Sequence, residues 1–382
     1  MFSFIKRGKE GGIDFTSKVK PMSHKTQEKK RISIEKAIDF GKQLFAAVLR
    51  SRKGALTELS RLLRFQKGTK CFERHYNRLL PLIQELKKAF NTLVLQFLPQ
   101  KGPRLGIIDD SSVKKTGKQF PKEQKHHDHT TNSFYEGMKV LSSMLYQNGK
   151  IATISSKIVG KEDNKLIVAQ EDIDVMITNF LVDIFLFDSW YCKGPVLEHI
   201  EKKKKLFISR TRCDTIALID GEEFRLDEII KAFEHKEFKK IKIHGNSYWI
   251  KELILELKAY GRLKVICSKE GQFDEPIFLV TNAEEFSAKY VVILYLKRFS
   301  IEIFFKDAKQ FLNFETFMCR KDSKWDLHLH LTNVLHWAIQ KKNSISRTVR
   351  AVREDISKCL LFINKNIGIQ KLFDELRRLC QT

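Results

Sequence analysis

The sequence predicts an α/β protein in which a mixed sheet is flanked by helices, with further helical segments at both ends of the chain. Three observations carry this. Apolar residues recur at helical spacing from Arg31 to about Leu98 and again after residue 341. Between 101 and 210 the order is strand, hairpin, helix, buried strand, helix, strand, which suits a mixed sheet covered on both faces. Residues 211–284 read as a succession of strands, a β-rich insertion before the helices resume at 285–340.

The elements follow in order. Residues 1–30 are polar, basic and glycine-containing, and read as a loose arm. The segment 31–100 reads as an all-helical domain. Ile32, Ile34, Ala37, Ile38, Phe45 and Val48 mark a first amphipathic helix, Leu56–Arg64 a second, Thr69–Leu80 a third and 82–97 a fourth. The second and third, joined by Gln66-Lys67-Gly68, resemble a helix-turn-helix. Lys67, Lys70, Arg74, His75 and Arg78 would then lie on or beside a recognition helix, where phosphates and base edges are met. A plain basic bundle with a solvated face would give the same pattern.

Composition breaks at Gln100-Lys101-Gly102-Pro103. Arg104–Ile108 is a short apolar strand that ends at Asp109-Asp110-Ser111-Ser112, and Lys114–His129 reads as a polar loop. Runs at 134–146 and 150–158 are joined by Asn148-Gly149, a type I′ hairpin signal. A helix at 165–182 precedes Ile184-Phe185-Leu186-Phe187, a continuous apolar run typical of a strand buried on both faces, which ends at Asp188. A helix at 194–203 and the strand Leu206–Ser209 complete this part. Thr281-Asn282-Ala283-Glu284 reads as a capping box for a long helix. Another apolar helix spans 325–340. The tail, 341–382, carries two stripes (Val349, Val352, Ile356, Leu360 and Ile369, Leu372, Leu376, Leu379) that need either a second copy or the rest of the chain to cover them.

A formal charge of +24 points to a polyanionic partner, nucleic acid before an anionic membrane surface. The first 100 residues hold 22 Lys and Arg against 8 Asp and Glu. No apolar run reaches the roughly 18–20 residues of a membrane span, and the N-terminal residues lack a signal-peptide apolar region, so the chain reads as cytoplasmic. Seven scattered cysteines without a C-x-x-C pair read as reduced thiols. His126-His127-Asp128-His129 has no second ligand pair at zinc-site spacing and reads as a loop. Glu201-Lys202-Lys203-Lys204-Lys205 reads as the solvated end of a helix.

The most informative stretch is the predicted helix around Phe299–Lys306. Tyr295, Arg298, Glu302 and Lys309 fall within roughly a 60° arc of one helical face. One carboxylate framed by cations suits a place where a metal ion and phosphate oxygens meet, although an ordinary amphipathic helix could carry the same edge. Tyr-x2-Arg-x3-Glu-x6-Lys resembles the YREK signature of bacterial insertion-sequence transposases of the DDE type.

That resemblance implies a ribonuclease H-like core over 101–210 and 285–340, interrupted by the β-rich insertion at 211–284. It makes Glu302 the third acid of a triad with Asp110 and Asp188, each expected at the end of a strand. Asp109 competes with Asp110, because only one of two neighbours on a strand can face a given side; Asp110 is preferred since a small hydroxyl residue, Ser111, follows it. Asp183 competes more weakly with Asp188. The triad would hold two Mg²⁺ ions, or Mn²⁺ in their place, for phosphodiester chemistry. Tyr295, Arg298 and Lys309 would grip phosphate, and Trp249 or Tyr248 would stack on a base. The implied partners are double-stranded DNA (terminal inverted repeats and target) and a second copy in a synaptic dimer, with the tail as one possible contact. A hairpin intermediate and a nucleoid-associated bacterial location are also implied. A catalytically inactive relative that only occupies DNA is the alternative.

Overall fold

The computed structural model describes residues 24–51, 56–62, 69–115, 120–128, 132–243, 245–271, 275–317, 319–340, 345–353 and 355–381. Four helices lead the chain: α1 (His24–Arg50), α2 (Leu56–Leu62), α3 (Thr69–Leu79) and α4 (Ile83–Phe97). Residues 24–30, expected in the arm, are already helical. Pro81 sits in the 3₁₀ turn Leu80–Leu82 that separates α3 from α4. It can donate no backbone hydrogen bond, so α3 cannot run on through it.

The sheet begins with β1 (Leu105–Lys114), β2 (Gln124–Asp128), β3 (Ser133–Gln147) and β4 (Lys150–Val159). Asn148 and Gly149 take φ of 49° and 80°, as a type I′ turn requires. After α5 (Lys165–Phe180) come β5 (Ile184–Phe187), α6 (Gly194–Lys202) and β6 (Leu206–Thr211). β3 runs antiparallel to β1 on one side and β4 antiparallel to β3; β5 and β6 run parallel to β1 on the other. This mixed sheet with flanking helices is compatible with a ribonuclease H-like core. All four residues of β5 are buried, as its unbroken apolar run requires.

Residues 211–284 add β7 (Ile216–Ile219), β8 (Glu222–Arg225), α7 (Leu226–Lys231), β9 (Lys239–Ile243), β10 (Asn246–Leu257), β11 (Gly261–Lys269) and β12 (Ile277–Thr281). They do not form a detached sheet. β12 pairs with β6, and the described strands make one twelve-stranded sheet in which β6, β12, β11 and β10 are successive neighbours.

α8 (Ala288–Tyr295), α9 (Phe299–Phe311) and α10 (Asp322–Gln340) follow, then α11 (Ile345–Val352), α12 (Ile356–Lys365) and α13 (Ile367–Gln381). α5 packs on one face of β1 and β3, while α9 packs on β1 and α10 on β4. Gly106 permits the close approach on the α5 side: a Cβ there would stand 2.9 Å from Met176 Sδ and from the Phe185 ring.

Further local expectations differ from the structure. The polar stretch 114–129 contains a strand, β2, because its backbone pairs with Ser133–Gly137 of β3 although its side chains carry no apolar alternation; His129 lies outside the described residues. The helix expected to start at a capping box over Thr281–Glu284 starts later: Thr281 belongs to β12, and the Ser287 side chain caps α8 by accepting from the Tyr290 N–H at 3.3 Å. That helix is also not continuous, since a 3₁₀ turn, Leu296–Arg298, divides α8 from α9.

The tail folds back. Ile369, Leu372, Phe373 and Leu376 are buried, α13 packs on α4 and α1, and α12 packs on α1. Arg377 joins Glu35 at 2.9 Å, and Phe373 meets Phe45 edge-on at 5.9 Å between ring centres. The described helices at the two ends of the chain thus share one apolar core.

Candidate active site

The site forms where β5 stops. Its last residue, Phe187, pairs with Ile108, so Asp188 comes next in step with Asp109. β1 itself continues to Lys114 with β3 as its partner. Successive side chains on a strand face opposite sides, which sends Asp109 and Asp110 into different surroundings.

Asp109 faces α9. Arg298 donates from Nη1 to Asp109 Oδ2 at 3.0 Å and from Nη2 to Glu302 Oε1 at 2.6 Å. Its guanidinium therefore bridges the first strand and the helix. Burial raises the Asp109 carboxyl to about 6, against the opposing pull of Arg298 and with Asp110 and Asp188 adding to the rise. Tyr295, the last residue of α8, and Arg298, the last of the 3₁₀ turn, are both buried. The guanidinium stands 5.7 Å from the Tyr295 ring centre, and burial pushes the Tyr295 hydroxyl up to about 12.

Asp110 faces α5. It receives the Lys165 ammonium and the Tyr191 hydroxyl on Oδ1, the latter at 2.8 Å, and Lys139 on Oδ2 at 3.0 Å. Burial would raise this carboxyl, but Lys165 and Lys139 outweigh it and hold it below the usual carboxylate range. Lys165 is nevertheless lowered as well, first by burial and also by Lys139, because two cations share one carboxylate.

The sequence grouped Asp110 with Asp188 and Glu302. In the structure Asp109 occupies that side, and the strand's alternation is the reason. A cue was available: Asp109 and Asp188 are each the first residue after an apolar run, and residues that end paired parallel runs together stand side by side. Asp183, the weaker competitor of Asp188, instead accepts from the Arg104 N–H at 3.0 Å, at the opposite end of β5.

Lys309 lies on the same helical stripe as Glu302 but is engaged within the chain, 2.8 Å from the Ser112 carbonyl and 2.8 Å from Glu315. Trp249, on β10, is not at the acids: His235 stands 4.2 Å from its ring centre, with Lys240 at 5.2 Å. Tyr248 is the next residue back on β10. Arg74 and Arg78 are exposed on α3, whose Tyr76 and Leu79 are buried. Lys67 lies outside the described residues, as do the side chains of Lys70 and His75.

A cleft of about 730 Å³ opens from Asp188 beneath β6, β12 and α7. Arg212 and Arg225 in its wall are paired with Asp214 and Asp227. Arg210 and Lys269, also lining it, have no carboxylate partner among the described residues.

Residues 100–337 match the transposase DDE domain. The chain belongs to that family. Comparison with curated proteins gives no match. The transposase therefore carries its matched domain across the mixed sheet and α8–α10, with α1–α4 ahead of it and α11–α13 behind. Membership makes it an enzyme of DNA transposition, and the family generally uses divalent metals. No helix among the described residues is long and apolar enough to cross a membrane.

The acids of this transposase supply only carboxylate oxygens, the ligands that hard divalent cations take. Among the described residues no three carboxylate, imidazole or thiolate groups converge on one point as the side chains stand. Arg298 lies between two of the acids. Glu302 is 47% exposed and can leave it, and Asp109 is held up chiefly by burial, a rise that the guanidinium offsets only in part. The donor set fits a divalent cation that takes over the charge now held by Arg298.

Proposed function

We propose that this transposase binds the terminal inverted repeats of its insertion sequence as double-stranded DNA and cuts and joins them by phosphodiester hydrolysis and transesterification. Asp109, Asp188 and Glu302 hold the metal in this reading. The single observation that supports it is the register that sets Asp109 beside Asp188, with Arg298 linking Asp109 to Glu302. Divalent cations, Mg²⁺ or Mn²⁺, when bound to such oxygens activate an attacking hydroxyl and neutralise charge developing on the phosphate.

The chain's own residues divide the remaining work. Arg298, released from the carboxylates, is the fork that grips a phosphate oxygen. Tyr295 and Lys309 act through position, since the first is buried against Arg298 and the second ties α9 to β1. Arg210 and Lys269 give the strand a cationic track leading away from Asp188. Arg74 and Arg78 on α3 are the candidates for contact with the repeats. A YREK-type route through a hairpin intermediate, a synaptic dimer and a nucleoid-associated location are finer parts of the same proposal. Ile369, Leu372 and Leu376 are covered within the chain, which argues against that stripe of α13 as the dimer contact.

The test is nicking and strand transfer by full-length protein on DNA carrying the element's ends, with and without Mg²⁺. Asp109→Asn should bind DNA and not nick it, whereas Asp110→Asn should retain nicking. The reverse result would return the metal role to Asp110. Sequence-specific binding with no nicking by the wild type in Mg²⁺ or Mn²⁺ would leave a protein that only occupies DNA.

A further inference from the structure

We propose that Tyr191 and Tyr260 are positioning residues that hold Asp188 at the distance from Asp109 that a shared cation requires. This rests on the reading of the site as one that binds a divalent cation. Arg298 tethers Asp109 and Glu302. The Asp188 side chain instead accepts from the next peptide, the Ser189 N–H, at 2.5 Å. Where Asp188 stands therefore depends on the segment that carries it, residues 188–193 between β5 and α6, which is neither strand nor helix.

Two phenol hydroxyls fasten that segment. The chain turns back at once, the Tyr191 N–H donating to the Asp188 carbonyl at 3.0 Å. Tyr191 is 1% exposed, and its hydroxyl donates to Asp110 Oδ1 at 2.8 Å. Burial, with the Asp110 charge adding to it, raises this hydroxyl far above the ordinary phenol range, so it stays a donor. One residue on, the Cys192 carbonyl accepts from the hydroxyl of Tyr260, in the turn between β10 and β11, at 2.9 Å. Burial pushes the Tyr260 hydroxyl up as well, to about 12. The segment is thus tied to β1 at one residue and to the strands of 211–284 at the next.

The tie to β1 is made at the residue beside Asp109. Neighbours on a strand lie only about 3.3 Å apart along its axis, so a short series of contacts, Asp188 to Tyr191 to Asp110 to Asp109, sets one carboxylate against the other. Mg²⁺ takes its oxygens in near-ideal octahedral geometry at about 2.0–2.1 Å, and an acid on an untied turn would meet that geometry only part of the time. Asp110 thereby gains a purpose that the metal reading leaves open. Against burial, Lys165 and Lys139 keep it ionised, and a charged acceptor makes the stronger hydrogen bond. Asp110→Asn still offers an oxygen to Tyr191, in keeping with the nicking expected of it.

The experiment uses the full-length chain with Mn²⁺ as the probe. Calorimetric titration without DNA gives the affinity, and nicking of end-bearing DNA is then followed against Mn²⁺ concentration. Tyr191→Phe keeps the ring and loses only the hydroxyl. It should bind Mn²⁺ on the order of 10-fold more weakly, and its nicking should recover as Mn²⁺ is raised. Tyr260→Phe, at a half-buried turn, is the second variant and should bind about 3-fold more weakly. Tyr76→Phe is the control: it removes a buried hydroxyl that donates to the Lys324 carbonyl at 3.1 Å, and should lower the urea midpoint without changing Mn²⁺ affinity. Wild-type affinity in Tyr191→Phe, or equal weakening in Tyr76→Phe, overturns the positioning role while leaving the metal site intact. Wild-type affinity in Tyr260→Phe removes that residue from the role. A wild type that binds no Mn²⁺ overturns the metal reading and the positioning role together.

Discussion

Asp109 is buried beside Asp110 and Asp188, and its carboxyl stands at about 6 against an ordinary 3.8. Between about pH 4 and 6 the folded protein therefore keeps a proton that the unfolded chain has lost, and stability falls as pH rises through that window. Asp109→Asn removes the loss. At pH 7 and without metal it should stabilise the protein, by at most about 3 kcal/mol for two pKa units, less whatever Arg298 forfeits. Asp110→Asn should do the opposite, since it leaves Lys165 and Lys139 around a neutral amide and costs on the order of 3 kcal/mol. Urea midpoints at pH 5 and 7 check both; equal destabilisation by the two variants would contradict these surroundings. Arg298 supports a second expectation. A guanidinium that must leave before a cation can bind couples metal and phosphate, because each gains when the other has drawn it away. Calorimetric titration of DNA-free Arg298→Ala with Mn²⁺ should show tighter binding than wild type, and weaker binding would remove Arg298 as the competitor.

The break between α8 and α9 shows what an element takes from its surroundings. Nothing in Tyr295–Arg298 is a proline or glycine; the turn tightens where Arg298 reaches Asp109. Ser287→Ala should cost about 1 kcal/mol as loss of a helix cap. Glu284→Ala should fall within about 0.5 kcal/mol of wild type, because its pair with Arg262 is exposed. Thermal or urea unfolding distinguishes them, and a larger loss from Glu284→Ala would move the helix start back to Thr281. This contrast also marks where the sequence was legible. Asn148-Gly149 and the run Ile184–Phe187 carry their signals locally, in a turn type and in unbroken burial, and both elements stand where those signals put them. β2 has no such signal, because its partner in β3 supplies what its polar side chains do not. Of the candidate site, the Arg298–Glu302 stripe could be read from helical spacing, whereas Asp188 was singled out by the resemblance. The choice between Asp109 and Asp110 depends on pairing with β5.

At the scale of the molecule, the strands of residues 216–281 continue the sheet that carries the acids. The cleft at Asp188 is walled by that sheet. The helices at the two ends are equally joined. Truncation after residue 340 removes α11–α13, which pack on α1 and α4, and takes Phe373 away from the buried Phe45 ring. Such a truncation should lose soluble expression or cooperative unfolding, even though residues 100–337 cover the whole transposase match. A fragment of residues 31–100 should likewise fail to fold alone. A sharp two-state transition in either would show that the shared helical core is dispensable.

The joining of the chain's ends also sets a clock. Glu35 and Arg377, which pair across that helical core, are 342 residues apart. At about 5–20 residues per second, roughly 20 to 70 s separate their synthesis. Until then α1 has no α12 or α13 to cover it. α1 and α4 therefore reach their packed form only after every strand of the sheet has been made.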